Sequence, residues 1–394
     1  MSKASPQQIP VVVLAGFLGS GKTTLLNHLL HRSGGTRIGA IVNDFGSIEI
    51  DAMAVAGQLG DSTVSLGNGC LCCAVDASEL DVYLDKLTRP VNDVHAIDVI
   101  VIEASGIAEP QELVRMVLAS DNPRIVYGGL IEVVDTAEFD ATREKHPEVD
   151  RHLGIADLVV VNKGDRVGPD ERARVLGAVR AAAGRVAVVS ASYGRIDPAL
   201  LFDCRPTEER IGQLSFDDLH RQDEQHADQD GEDDHAAHDG HLHAAYDSVA
   251  FTSDVPMDPR RLIAFLDSRP EGLYRIKGYV DFGAGDPGNR YAVHAVGRFL
   301  RFYPEPWPSG EERLTQLVLI GSGIDTTALG KHLAAAKSDA KGVAASDAEG
   351  VAASDAQGDA TSDAPHAADE QGMWGVLRYV QDKGEAEEVA DYVL

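Results

Sequence analysis

Residues 16–23 read Gly-Phe-Leu-Gly-Ser-Gly-Lys-Thr, directly after the apolar run Ile9–Leu14 and directly before Thr24–His31, which reads as a helix. A buried strand that opens into a helix through G-x-x-x-x-G-K-[ST] is a phosphate-binding loop, and little else fits that context. Gly16, Gly19 and Gly21 let successive backbone N–H groups turn inward around a phosphate, where a Cβ would intervene. Ser20 and Thr24 complete the lining, and the start of the helix adds its positive dipole end. Lys22 is placed to neutralise the β- and γ-phosphates, and the Thr23 hydroxyl to ligate magnesium. The chain is therefore expected to bind a nucleoside triphosphate.

Which nucleotide follows from a second segment. Asp157–Val161 is a short apolar strand that ends in Asn162-Lys163-Gly164-Asp165. The Asp165 carboxylate can accept from both the ring N–H and the exocyclic amine of guanine, and adenine presents neither donor there. Alone, Asn-Lys-x-Asp is a common polar turn; downstream of a phosphate loop it points to GTP rather than ATP. A further strand, Val186–Val189, runs into Ser190-Ala191, where the backbone of a base-binding loop is expected.

Between these elements Asp98–Ile102 is an almost wholly apolar strand ending in Glu103-Ala104-Ser105-Gly106. Glu103 is positioned to hold the hydration shell of magnesium, and the Gly106 N–H to meet the γ-phosphate. Most GTPases carry Asp in the place of Glu103. Asn43–Asp51 occupies the stretch of a first switch. Asp44 there is counted with Lys22, Thr23, Glu103 and Gly106 as the hydrolytic set.

Three of the four cysteines fall within Gly69-Cys70-Leu71-Cys72-Cys73. Neighbours this close fit disulfide geometry poorly. Crowded thiolates repel unless a soft cation neutralises them, so Cys70, Cys72 and Cys73 read as a zinc or copper(I) site. Three ligands leave one position open, which suits release of the metal. A redox-sensitive or small apolar trio is the plainer alternative. Cys204 stands far off and reads as an ordinary residue.

Together Gly16–Thr23, Asn43-Asp44-Phe45-Gly46, Gly69–Cys73, Glu103–Gly106 with Pro110, and Asn162–Asp165 make the chain resemble the CobW family of GTPases. Within that family it is similar to the zinc chaperones that carry Gly-Cys-x-Cys-Cys. The resemblance spans Ile9 to about Arg205 closely and Tyr246 to about Leu333 more loosely. It implies zinc held by the cysteines and handed to a client metalloprotein, with GTP hydrolysis driving or timing the transfer. One departure is Ser47, where family members often carry an acid; Glu49 and Asp51 are nearby replacements. A cobalt chaperone serving cobalamin synthesis and a non-catalytic zinc buffer are the competing functions.

Composition narrows the partners. The net charge of −28 argues against nucleic acid and anionic membrane surfaces. The cysteine pattern suggests a reducing compartment, no apolar stretch approaches a membrane span, and Val11–Leu18 dissolves into the phosphate loop rather than forming a signal sequence. A cytoplasmic location is expected, and homodimerisation is left open.

Residues 215–245 carry six histidines (His220, His226, His235, His238, His241 and His243) among ten Asp or Glu. This composition buries too little to order itself. His235, His238, His241 and His243 are spaced to share zinc weakly; the plain alternative is a solvated linker. From Ser338 an octad beginning Ser-Asp-Ala runs three times without a large apolar residue.

The expected fold class is α/β, a doubly wound, mainly parallel P-loop GTPase sheet with a second, smaller α+β domain. The boundaries read as 1–205 for the GTPase domain, 206–245 for the linker, 246–335 for the CobW C-terminal-like domain, 336–371 for a disordered repeat insertion, and 372–394 for a terminal strand and tail. Met373–Val380 carries the strand character. Pro304–Pro308, with Trp307, is either a client-facing surface or a Pro-rich turn around a core aromatic.

Overall fold

The computed structural model describes residues 8–33, 35–42, 55–56, 77–89, 97–106, 108–203, 246–339 and 372–380. Asp44, Cys70, Cys72, Cys73, Cys204, the histidines of 220–243 and the octad repeat lie outside the described residues, apart from the first two positions of the repeat.

The first domain is a seven-stranded sheet of order β3-β2-β4-β1-β5-β6-β7. Its strands are β1 (Ile9–Ala15), β2 (Ile38–Val42), β3 (Val55–Ala56), β4 (Val99–Glu103), β5 (Ile125–Asp135), β6 (Leu158–Asn162) and β7 (Ala187–Ser190). All neighbours run parallel except β3, which pairs antiparallel with β2. Val11, Val12, Val13 and Leu14 of β1 are all fully buried. A strand covered on both faces has no solvent side, which is why these segments read as unbroken apolar runs rather than alternating ones.

The covering helices are α1 (Lys22–His31), α2 (Ala77–Thr88), α3 (Pro110–Leu118), α4 (Phe139–Lys145), α5 (Val149–Ile155) and α6 (Pro169–Ala183). One core packs α2, α3, α5 and α6 against one face, through Leu84, Leu113, Leu153 and Val179. The other face takes Leu25, Leu26 and Leu29 of α1. Both α3 and α6 start with proline, whose fixed φ suits a first turn that needs no N–H donor.

The second domain is a five-stranded antiparallel sheet of order β11-β10-β9-β12-β8. It comprises β8 (Asp247–Ser253), β9 (Leu273–Val280), β10 (Asn289–Val296), β11 (Phe299–Pro306) and β12 (Thr315–Gly321), with α7 (Pro259–Asp267) and α8 (Thr326–Ala335). Asp258 caps α7 by accepting from Arg261 N at 2.9 Å, and Asp325 caps α8 by accepting from Ala328 N at 2.9 Å.

Two expectations need correction. Pro304 and Pro306 are not in a turn: β11 continues through them, because it is a sheet edge where a missing N–H costs no ladder bond. Half-buried Trp307 follows, with the Arg313 guanidinium over its ring at 5.8 Å. Met373–Val380 is not a strand either. Residues 372–377 are helical, and among the described residues of this segment Val380 bridges to the sheet, at Phe302. Met373 and Val376 are buried while Trp374 and Leu377 are exposed, a helical period that a short apolar run also permits.

The two domains share a seam. Tyr274, Val296, Val318 and Ile320 of the second sheet join the core around Phe202. His294 Nε2 meets Tyr127 O at 2.8 Å, and Tyr127 packs edge-on to Phe299. Buried Asp157 accepts from Tyr127 Oη at 2.5 Å and from Leu130 N at 2.8 Å. Burial raises its carboxyl from 3.8 to about 6, against the pull of those hydrogen bonds.

Candidate nucleotide site

The carboxyl ends of β1, β4 and β6 converge on one rim of the first sheet, the position where open parallel sheets bind ligands. The loop 16–21 leaves β1 there and enters α1 at Lys22. Gly16, at φ 141, presses against Val133 O so closely that a Cβ would overlap it, so this position has room only for glycine. Lys22 is buried, and its Nζ donates to Gly16 O at 2.7 Å and Phe17 O at 3.2 Å. A buried ammonium held by loop carbonyls lies where it can meet phosphate oxygens. Ser20 is buried with its Oγ lacking a hydrogen-bond partner, a polar atom available to a bound group.

The Thr23 hydroxyl donates to Glu103 Oε1 at 2.7 Å, across 80 residues of sequence. Glu103 is buried at the end of β4, where register opposite Leu14 brings it beside the phosphate loop. A threonine hydroxyl and a buried carboxylate are hard oxygen donors, and they fit magnesium with retained water ligands. When bound, that ion would be held by Thr23 and Glu103 and would neutralise phosphate charge. Gly106 lies directly against the loop: a Cβ on it would stand 2.7 Å from Leu18 N. Thr24 is exposed on the first turn of α1.

Asn162 ends β6 fully buried, and its side chain joins two loops. Its Nδ2 donates to Ser20 O at 3.0 Å, and its Oδ1 accepts from Gly194 N at 2.9 Å. Lys163, in the left-handed region at φ 60, reaches back over the phosphate loop to donate to Gly19 O and, at 2.8 Å, to Asp135 Oδ2. Asp165 is exposed on the 3-10 turn Gly164–Arg166, free to point at a base edge. Ala191 N donates to Val161 O at 2.8 Å and Gly164 N to Ala191 O at 3.3 Å, which holds Ser190-Ala191 alongside the Asn-Lys-x-Asp turn. The structure thus brings together Gly16, Gly19, Ser20, Gly21, Lys22, Thr23, Glu103, Gly106, Asn162 and Lys163, with Asp165, Ser190 and Ala191 at the far end.

Sequence reasoning missed two features. Asp135, at the end of β5, anchors Lys163; its only signal was an acid closing an apolar strand. A cleft of about 150 Å³ beside the loop is lined by Gly16, Phe17, Gly106, Glu109, His146, Glu148 and His152 among others. Nothing in the spacing of residues 109 and 152 announces that they meet.

The profile of the CobW/HypB/UreG nucleotide-binding domain matches residues 10–190, and that of the CobW C-terminal domain matches residues 246–337. The chain is 30% identical over 354 residues to a protein of Sinorhizobium named zinc chaperone CobW, covering 81% of this chain and 94% of that one. It is 31% identical to a protein of the same name from Pseudomonas aeruginosa, covering 84% of this chain and 92% of that one. Over 48% of this chain and 47% of the other, it is 29% identical to zinc-regulated GTPase metalloprotein activator 1 of Schizosaccharomyces pombe. With both domain profiles in order and full-length relatives at this identity, the chain belongs to the CobW family of P-loop GTPases.

Proposed function

We propose that this protein is a GTP-hydrolysing zinc chaperone, which binds zinc through Cys70, Cys72 and Cys73 and passes it to a client metalloprotein. The observation that carries the proposal is the pairing of Thr23 with Glu103 at 2.7 Å beside buried Lys22. A zinc buffer has no use for a formed phosphate and magnesium site, whereas a nucleotide-timed carrier needs one. The full-length relatives bearing the zinc chaperone name support zinc over cobalt as cargo.

In this account Lys22 and the loop N–H groups bind the phosphates, Thr23 and Glu103 hold magnesium, and Asp165 reads guanine. The cysteine motif lies between β2 and β4, the two strands that lead into the switch segments. His235, His238, His241 and His243 collect zinc weakly and raise its local supply. The client is a metalloprotein, as the activator name of the S. pombe relative suggests.

The test is zinc stoichiometry and transfer in the purified full chain. Cys72→Ser should remove one tight zinc while GTP hydrolysis persists, and deletion of 220–243 should remove only weak zinc. Loss of the tight zinc in the linker deletion would assign the ligands elsewhere. A tight site intact in Cys72→Ser would refute the cysteine assignment.

A further inference from the structure

Among the described residues two that are not glycine take positive φ, Lys163 at 60° and Tyr193 at 55°, and both adjoin the same amide. Lys163 follows Asn162 in sequence. Tyr193 precedes Gly194, whose N–H donates to Asn162 Oδ1 at 2.9 Å. A bulky residue in the left-handed region is a backbone outlier, and such outliers persist where the surroundings impose them, above all at ligand clamps. Lys163 has its reason in the bonds it makes over the phosphate loop. Tyr193 has nothing comparable: it is 64% exposed, and among the described residues no hydrogen bond holds its hydroxyl.

The turn that carries Tyr193 is fixed on three sides. Arg195 N donates to Ser192 O at 3.0 Å, which closes a turn with Tyr193 and Gly194 at its centre. With both central φ positive, 55° and 67°, this is the mirror-image form that asparagine and glycine favour and tyrosine does not. Gly194 lies so close to the first turn of α1 that a Cβ on it would stand 2.8 Å from Leu25 N. Ala191 O, just upstream, accepts from Gly164 N at 3.3 Å, inside the Asn-Lys-x-Asp turn. Tyr193 therefore stands between the turn proposed to read the base and the helix end proposed to hold the phosphates. A nucleotide held at both of those ends has its base and ribose in that interval. Asn162 divides it: Nδ2 faces the phosphate loop that Lys163 crosses, and Oδ1 faces the tyrosine turn.

We infer that Tyr193 is the stacking wall of the nucleotide site, its ring covering the purine face of bound GTP and GDP while Asp165 takes the base edge. The Arg195 guanidinium lies over the ring at 5.8 Å and steadies one face, and the ring's exposure leaves the other open. Every purine presents a π-face, so this contact adds affinity without choosing the base; the choice stays with the edge contacts. The backbone strain is then explained, because the same turn built from Asn-Gly would present no ring at the rim.

The inference rests on the nucleotide reading of the adjoining loops, so probes with and without a base are compared by calorimetry, on the full chain with magnesium. Tyr193→Gly removes the ring and the backbone strain together. Its urea midpoint should stay at or above that of wild type, while GDP affinity should fall about tenfold, within the range for one stacked base. Affinity for inorganic tripolyphosphate should not change. Tyr193→Phe should bind GDP as wild type does, and in Tyr193→Trp GDP should quench the introduced indole while tripolyphosphate does not. GDP affinity within about twofold of wild type in Tyr193→Gly would overturn the inference. So would an equal loss for tripolyphosphate, a loss in Tyr193→Phe, or an unquenched indole. Failure of the nucleotide reading itself looks different: wild type would bind GDP no more tightly than tripolyphosphate, and the stacking role would fall with it.

Discussion

Asn162 ties two loops of the nucleotide site through one buried amide, and Asn162→Ala measures what that tie contributes. The wild-type amide donates to Ser20 O at 3.0 Å and accepts from Gly194 N at 2.9 Å, in a position 1% exposed. Alanine removes both bonds and brings no replacement. Burying the Gly194 N–H without its acceptor costs about 1–3 kcal/mol, and losing the bond to Ser20 a further ~0.5–1.5 kcal/mol. The expected loss of stability is about 2–4 kcal/mol, read from urea unfolding followed by tryptophan fluorescence and circular dichroism. A second consequence separates a pin from an ordinary core residue. The two loops it ties are those proposed to meet the phosphates and the base, so on that reading nucleotide binding must then order them. At ~1.4 kcal/mol per tenfold, even half of the lost energy returning as an ordering cost weakens GDP binding by about tenfold. A stability loss under ~0.5 kcal/mol together with unchanged GDP affinity would refute the reasoning.

Three further outcomes are expected. Glu132 is buried on β5, and burial raises its carboxyl from 4.5 to about 8, against the pull of Lys22. The folded state therefore keeps a proton that the unfolded chain releases, and stability drains away as pH rises from about 4.5 to 8. Glu132→Gln should gain about 2–3 kcal/mol over wild type between pH 6 and 8.5, by urea unfolding; a pH-independent difference would contradict this. Gly16→Ala forces a Cβ onto Val133 O and should abolish GDP binding, as calorimetry would show. Asp165→Asn should shift preference from GTP toward xanthosine triphosphate, and equal hydrolysis of ATP and GTP by wild type would remove the base-reading role from Asp165.

Much of the fold was legible because buried parallel strands announce themselves. Val11–Leu14 and Val99–Ile102 are apolar at every position, and each is followed by a chemically distinctive turn. The starts of α7 (Pro259–Asp267) and α8 (Thr326–Ala335) are marked in the sequence, because an aspartate cap precedes each. The misses have physical causes. At β11 the prolines argued for a turn, but an edge strand tolerates them. At 373–380 tertiary packing of Met373 and Val376 overrode β-propensity. In the site, the phosphate loop and the Asn-Lys-x-Asp turn were legible as local structure because contiguous backbone builds them. The Thr23–Glu103 pairing was legible only through the role each was expected to play. Glu109 and His152 lie far apart in sequence, on α3's lead-in and on α5, and only the packing of those elements brings them together.

The central claim is that nucleotide state and zinc affinity are coupled. Asn43–Asp51 and Cys70–Cys73 both belong to the chain between β2 and β4, whose last residue, Glu103, pairs with Thr23. If a γ-phosphate changes the geometry of the proposed thiolate site, then by linkage zinc changes GTP affinity by the same factor. The direct measurement is zinc affinity of the full chain, by competition with a chromogenic chelator, with GDP bound and with a non-hydrolysable GTP analogue bound. The account predicts affinities that differ by at least fivefold, the lower end of ordinary coupling, and a difference abolished in Cys72→Ser. Equal zinc affinities in the two nucleotide states would contradict it.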